Sequence, residues 1–236
     1  MSPKVAMVMA AGLGTRMGAL TRETPKPLLR VGGRALIDLA LDRCAEAGVE
    51  RAVVNLHWRA EKLRAHLAGR ERPSVVFSDE TERLLETGGG VRRALPLLGP
   101  GPVWVLNSDA VWTGAAPLPP LAAAWDDARM DALLQLAPRE RALAYDRAGD
   151  FFLGPDGRPE RRGAREAAPY VYGGVQIIRT EAFADWPEEP FSTNLVWDRL
   201  LAAGRLFAVV HDGGWVDVGT PAGLAAAEAA LAEAGA

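Results

Sequence analysis

The period of the apolar positions changes several times along the chain, and each change marks an element. Residues 5–11 are an unbroken apolar run, long enough for a buried strand and too short for a buried helix. Gly12-Leu13-Gly14-Thr15-Arg16 follows it. Over residues 35–47, Leu36, Ile37, Leu39, Ala40, Leu41 and Cys44 fall at helical spacing, and Gly48 supplies a stop. Residues 51–56 read as a second strand, 59–67 as a helix and 74–78 as a third strand. Gly88-Gly89-Gly90 opens a helix through Val91, Ala94 and Leu95, and the apolar strand 102–106 ends at Asn107-Ser108-Asp109. This alternation predicts a parallel sheet with helices on both faces.

The later half is less regular. Residues 121–128 read as helix and 131–137 as strand, and 142–178 as antiparallel strands turning at Gly149 and Pro155-Asp156-Gly157. Residues 158–165 read as a flexible loop. A helix over 194–203, a strand over 206–210 and an Ala-rich helix over 221–234, with Pro221 in its first turn, close the chain.

Composition narrows the class. With 236 residues, 49% of them hydrophobic, the chain has ample material for one core, and a single domain over 1–236 is expected. A net charge of −3 excludes a general surface for a nucleic acid polymer but leaves room for a local phosphate pocket. Cys44 is the single cysteine and sits in a helical pattern, so a buried, inert thiol in a reducing cytoplasm is expected. Residues 1–4 run into the first strand without a signal-peptide core, and no apolar run approaches the ~20 residues needed to span a bilayer. A soluble cytoplasmic protein with no membrane partner is expected; the pattern leaves the oligomeric state open.

The glycine-rich bend is the first candidate for chemistry. A buried strand feeding a small-residue loop places backbone N–H groups where an anion can sit, and Arg16 and Lys26 flank it. A dinucleotide fingerprint needs a third glycine where Met17 stands, and a P-loop needs Gly-Lys-Ser/Thr where the chain has Gly14-Thr15-Arg16. Both fail. Thr21 and the lysine held between Pro25 and Pro27 weigh against a tight turn with no ligand. Asp109, at the C-terminal end of an apolar strand, lies where open α/β sheets bind ligands, although such a residue can also only cap a turn. A second aspartate follows apolar and aromatic residues in Trp215-Val216-Asp217-Val218-Gly219-Thr220. Two such carboxylates converging would suit Mg²⁺.

Ala10-Ala11-Gly12-Leu13-Gly14-Thr15-Arg16-Met17, then Leu20-Thr21 and Pro25-Lys26-Pro27-Leu28, resembles the signature of the sugar-1-phosphate nucleotidyltransferases. The resemblance implies a three-layer αβα, Rossmann-like nucleotide-diphospho-sugar transferase fold with a mostly parallel mixed sheet. It implies a nucleoside triphosphate and a sugar 1-phosphate as partners and Mg²⁺ as cofactor. Arg16 and Lys26 would be catalytic; Ala10, Ala11, Gly12, Gly14, Thr15, Arg16, Glu86 and Gly89 would bind the nucleotide. Asp109 and Asp217 would hold the metal. The family has glycine where this chain has Ser108. Leu85-Glu86-Thr87-Gly88-Gly89-Gly90 resembles the branch that forms UDP-N-acetylmuramic acid from UTP and N-acetylmuramate 1-phosphate in cell-wall recycling. The mannose 1-phosphate guanylyltransferase branch is the nearest rival, and a catalytically silent nucleotide-binding subunit is the rival of another class. Asp150 and Gly174 lie where the family places its sugar-facing strands, though an exposed turn is an equal reading for Asp150. His57 and Trp58 are expected to pack. The chain's end shortly after residue 234 leads us to expect no appended β-helix or second catalytic domain.

Overall fold

In the computed structural model, which describes residues 2–235, the first apolar run forms β1 (Val5–Met9), with Ala6, Met7 and Val8 fully buried. The chain then turns through residues 10–29 into a small hairpin, β2 (Arg30–Val31) and β3 (Arg34–Ala35), which leads into α1 (Leu36–Glu46). Then come β4 (Arg51–Leu56), α2 (Ala60–Leu67), β5 (Ser74–Asp79), α3 (Glu86–Leu98) and β6 (Pro102–Asn107). The strands lie in the order β6-β1-β4-β5, all parallel, an arrangement that requires crossovers; the three helices supply them.

Because side chains alternate across a strand, β1 feeds two cores. Ala6 and Val8 pack with Ile37, Leu41 and Cys44 of α1 and Leu63 of α2. Met7 faces the other way, into the cluster of Val91, Ala94 and Leu98 of α3. Cys44 is fully buried, and burial pushes its thiol up to about 12, so it stays protonated and inert.

Beyond β6 the direction of pairing changes. β7 (Ala110–Thr113), α4 (Leu118–Ala124), β8 (Ala132–Pro138), β9 (Ala142–Leu143), β10 (Phe151–Leu153) and β11 (Pro159–Arg161) precede the long β12 (Tyr170–Arg179). β12 runs antiparallel to both β6 and β8, and its register shifts between Tyr172 and Gln176, at Gly173-Gly174. α5 (Thr193–Ala202), β13 (Leu206–Val210), β14 (Gly214–Asp217) and α6 (Pro221–Glu233) complete the chain. The main sheet is mixed and nine-stranded; β14 joins β7 and β9 in a separate three-stranded sheet. Val111 and Val216 of that small sheet pack with Met17, Val218, Ala227 and Leu231.

Two segments depart from the expected pattern. The helix expected over 121–128 lies at Leu118–Ala124 and ends at Trp125, because prolines fit a first helical turn that needs no internal N–H partner. The segment expected as a flexible loop instead contains β11, paired antiparallel with β10, and Arg161 is tied to Asp198 and Asn194 of α5. Charge and ring contacts hold it, which no apolar alternation announces.

Candidate active site

β1 delivers the loop to the C-terminal edge of the parallel strands. The amides of Ala10 and Ala11 both donate to Asn55 Oδ1, at 2.6 and 3.2 Å. Asn55 Nδ2 donates to Glu80 Oε1 at 2.8 Å, and Glu80 Oε2 accepts from the Leu85 amide at 3.1 Å. Asn55 and Glu80 are both buried, and burial pushes the Glu80 carboxyl up. A polar strut thus runs from β1 through β4 to the start of α3. It corrects one expectation: these two amides are taken by Asn55 and do not face an anion.

Gly14 sits at φ 64°, and a Cβ there would lie 3.0 Å from Lys26 Cβ and Thr21 Cγ2. Thr21 Oγ1 donates to the Gly14 carbonyl at 3.0 Å. The glycine therefore lets Lys26 come up under the loop, within a short 3₁₀ turn (Lys26–Leu28) that follows Pro25. The lysine is buried, and its Nζ donates to Asp109 Oδ2 at 2.6 Å.

Asp109 is positioned by its neighbours. Ser108 donates through both its amide and its hydroxyl to the Met9 carbonyl, at 3.2 and 2.7 Å, tying the end of β6 to the end of β1. The Val218 amide donates to the Asp109 carbonyl, and Asp217 pairs in register with Ala110, so the two aspartate motifs are stitched together. Arg147 donates to Asp217 Oδ2 at 3.0 Å. Burial pushes the Asp217 carboxyl up; Arg147 pulls it down, and the charge of Asp109 pushes it up again. Arg16 stacks so closely on Gly219 that a Cβ there would come within 2.7 Å of its guanidinium.

These residues border two compartments of about 380 Å³ each. A loop compartment is lined by Ala10, Ala11, Gly12, Lys26, Asn55 and Glu86 among others. An edge compartment is lined by Arg16, Arg147, Asp150, Arg161, Gln176 and Asp217 among others. Both share Met9, Thr87, Asn107, Asp109 and Ser192. Glu86 holds φ 59°, a left-handed conformation that costs a non-glycine residue on the order of 1 kcal/mol and occurs often at functional sites.

Four of the expected residues, Gly14, Thr15, Gly89 and Gly174, line neither compartment. Gly14 makes the turn over Lys26, and Thr15 is exposed outside both compartments. Gly89, with Gly88, donates its amide to the Phe191 carbonyl, and Cβ atoms there would strike Glu189 O and the Phe191 ring, each at 2.3 Å. The glycine run therefore seats the strap of residues 186–192. Gly174, at φ 81°, lets β12 lie against Asn107 and Ala110 and lines neither compartment. Asp150 reaches the edge compartment while its Oδ2 accepts from the Tyr172 amide at 2.9 Å. His57 contacts the Glu80 carbonyl and Trp58 donates to the Thr21 carbonyl, both scaffold bonds.

Asn55, Arg147, Arg161 and Gln176 lay outside the sequence expectations. Asn55 and Gln176 do carry a signal, a polar residue inside an apolar strand. The two arginines carry none.

A family model described as the MobA-like NTP transferase domain matches residues 6–234. A Caulobacter vibrioides protein named N-acetylmuramate alpha-1-phosphate uridylyltransferase is 50% identical to this chain, with 99% of each covered. One of the same name from Neisseria meningitidis serogroup B is 35% identical, covering 95% of this chain and 96% of its own. In fold, a putative glucose-1-phosphate thymidylyltransferase from Bacillus anthracis superposes with a TM-score of 0.81 at 17% identity, covering 95% of this chain and 93% of that one.

Proposed function

The chain belongs to the MobA-like NTP transferase family, and from that premise we propose that the loop compartment takes the nucleotide and the edge compartment the sugar phosphate. The chain is a sugar-1-phosphate nucleotidyltransferase that forms UDP-N-acetylmuramic acid and pyrophosphate from UTP and N-acetylmuramate 1-phosphate, a reaction of cell-wall sugar recycling. The observation that carries the division is the shared wall: the compartments meet at Asp109, against which Lys26 lies at 2.6 Å.

A phosphate oxygen of the sugar substrate attacks the α-phosphorus of UTP; the new P–O bond forms as the bond to the β-phosphate oxygen breaks, and pyrophosphate carries away the electron pair. Negative charge is redistributed over the nonbridging oxygens, so the protein's work is to position two anions and stabilise them. Lys26, a compact charge at the junction, follows the α-phosphate. Arg16, fixed against Gly219, offers a planar fork to the phosphates. Ala10, Ala11, Gly12 and Glu86 border the nucleotide, and Asp150 borders the sugar.

Asp109 and Asp217 fit Mg²⁺, which binds through one or two carboxylates together with substrate phosphates. Burial and the charge of Asp109 push the Asp217 carboxyl up, and a divalent cation held by the two carboxylates would offset that charge. When bound, Mg²⁺ supplies charge neutralisation at the phosphate oxygens. We read residues 1–236 as one nucleotidyltransferase domain, which a family match over 6–234 supports, and the demand for UTP supports a cytoplasmic setting. Among the described residues no helix is long and apolar enough to cross a membrane.

Pyrophosphate release across the common nucleoside triphosphates and several sugar 1-phosphates tests the reading. Turnover led by UTP with N-acetylmuramate 1-phosphate is expected. Turnover with GTP and mannose 1-phosphate alone overturns the substrate assignment, and intact nucleotide binding with no turnover on any pair overturns the enzyme.

A further inference from the structure

The edge compartment has a far end that the phosphoryl chemistry does not use. In the strand order β11-β10-β12-β6, Arg161 at the end of β11 stands three strands from the end of β6, where Asp109 follows. At the usual strand spacing that is about 14 Å. Arg16 and Arg147 are placed at the near end, on Gly219 and Asp217, so Arg161 is the cation that the described lining residues offer at the far end.

Its guanidinium is unusually well fixed. Nε donates to Asp198 Oδ1 at 2.8 Å, and the two terminal nitrogens to Asn194 Oδ1 at 2.8 Å and the Asn194 carbonyl at 3.1 Å. It also lies over the rings of Phe151 and Trp197, at 4.9 and 5.5 Å. An arginine has five N–H donors, so two remain. Its ion-pair partner Asp198 has a side chain 55% exposed, and solvent screens much of that charge. The adjacent end of α5 is not a rival anion site: the Thr193, Asn194 and Leu195 amides already donate to Thr87 Oγ1, Ser192 Oγ and the Ser192 carbonyl.

Trp197 orients a second group. Its indole N–H, which can only donate, meets Gln176 Oε1 at 2.8 Å and so turns the amide nitrogen of this buried glutamine away from itself. Gln176 borders the same compartment, where that nitrogen suits a neutral oxygen, an acyl carbonyl or a hydroxyl.

We infer that Arg161 is a specificity-determining residue that takes the carboxylate of an acidic sugar 1-phosphate, with Gln176 beside it for a neutral oxygen of the same sugar. The inference rests on the edge compartment being the sugar site. N-acetylmuramate 1-phosphate differs from N-acetylglucosamine 1-phosphate by an ether-linked lactyl group, which carries the carboxylate.

The test measures kcat/KM with UTP, and binding by calorimetry, for both sugars on the wild type, Arg161→Gln and Arg161→Lys. Arg161→Gln is expected to lose about 10- to 100-fold on the acidic sugar, the worth of a charge-assisted hydrogen bond, with the loss in KM rather than kcat. Binding of the neutral sugar stays within about 3-fold, a change below the worth of one such bond, and Arg161→Lys keeps part of the preference. Asp198→Asn, which loosens the guanidinium without removing it, gives a smaller loss in the same direction and stands in if Arg161→Gln does not fold. Equal loss on both sugars, or no loss on either, overturns the inference. A wild type that ignores the acidic sugar altogether overturns the substrate assignment instead.

Discussion

The loop compartment takes much of its wall from two short stretches, residues 9–12 and 26–27, whereas the edge compartment is assembled from β6, β10, β11, β12, α5 and β14. The two enclose similar volumes, about 380 Å³ each. What differs is how far apart in the chain the wall residues lie. A triphosphate presents the same charges to any enzyme of this chemistry, and a contiguous loop can be shaped to them by local turns alone. The edge compartment must also match a particular sugar, and Asp150, Arg161 and Gln176, which lie far apart in the chain, can each change while Arg16 and Asp217 keep the phosphate end. Asp109 belongs to both, which makes it the point where the comparison is most exposed to test.

Asp109→Asn should have the largest effect. It removes the charge opposite Lys26 at the junction, and turnover is expected to fall about 10²–10³-fold, as when one transition-state contact is lost. Because the carboxylate is partly exposed, the thermal midpoint should stay near wild type. A change confined to the KM of one substrate would break the picture of a shared wall.

Asn55→Leu and Gly88→Ala form a matched pair at the next level. The first leaves the Ala10 and Ala11 amides and Glu80 without their partner, at a cost of about 3 kcal/mol in denaturant titration, and should raise the KM for UTP more than that for the sugar. The second places a methyl 2.3 Å from the Phe191 ring, displaces the strap that leads into α5, whose Thr193, Asn194 and Trp197 line the edge compartment alone, and costs about 1–3 kcal/mol. Its larger effect should fall on the sugar. If both variants affect one substrate alike, the compartments are not separable.

His211 supplies the smallest effect, remote from the junction. It is buried, and burial lowers its pKa below the ordinary 6.5, so the folded chain prefers the neutral ring. The unfolded chain then binds the proton more readily. Stability is fully present above 6.5 and is lost as pH falls through the interval between 6.5 and the lowered value. His211→Gln should flatten that acid-side decline in thermal midpoints measured against pH, and an unchanged slope would show that other groups set it.

The parallel half of the sheet was legible because β1, β4 and β6 are largely buried and read as apolar runs bounded by helical spacing. β11 was not: a three-residue strand held by Arg161 through Asp198, Asn194 and two rings has no periodicity to detect. Within the site, Arg16, Lys26, Asp109 and Asp217 stood out through spacing, and the structure brings all four to the compartment walls. Gly88 and Gly89 stood out too, but a glycine announces only that something passes close, and here it is the chain's own Phe191 and Glu189. Asn55 and Gln176 were visible as polar interruptions of apolar strands, without an indication of what they held.

Trp197, which lies beneath Arg161 and steers Gln176, has an optical consequence. The edge compartment is walled by two indoles, Trp197 and Trp215, while the loop compartment has none. Emission from an indole shifts with the polarity and charge around it, so arrival of the sugar substrate should register in the protein's own fluorescence. Nucleotide arrival should change it less, through Trp58, whose indole N–H holds the Thr21 carbonyl of the loop. Stopped-flow mixing without any added dye can therefore compare the two arrivals, and Trp197→Phe should remove most of the sugar-dependent change.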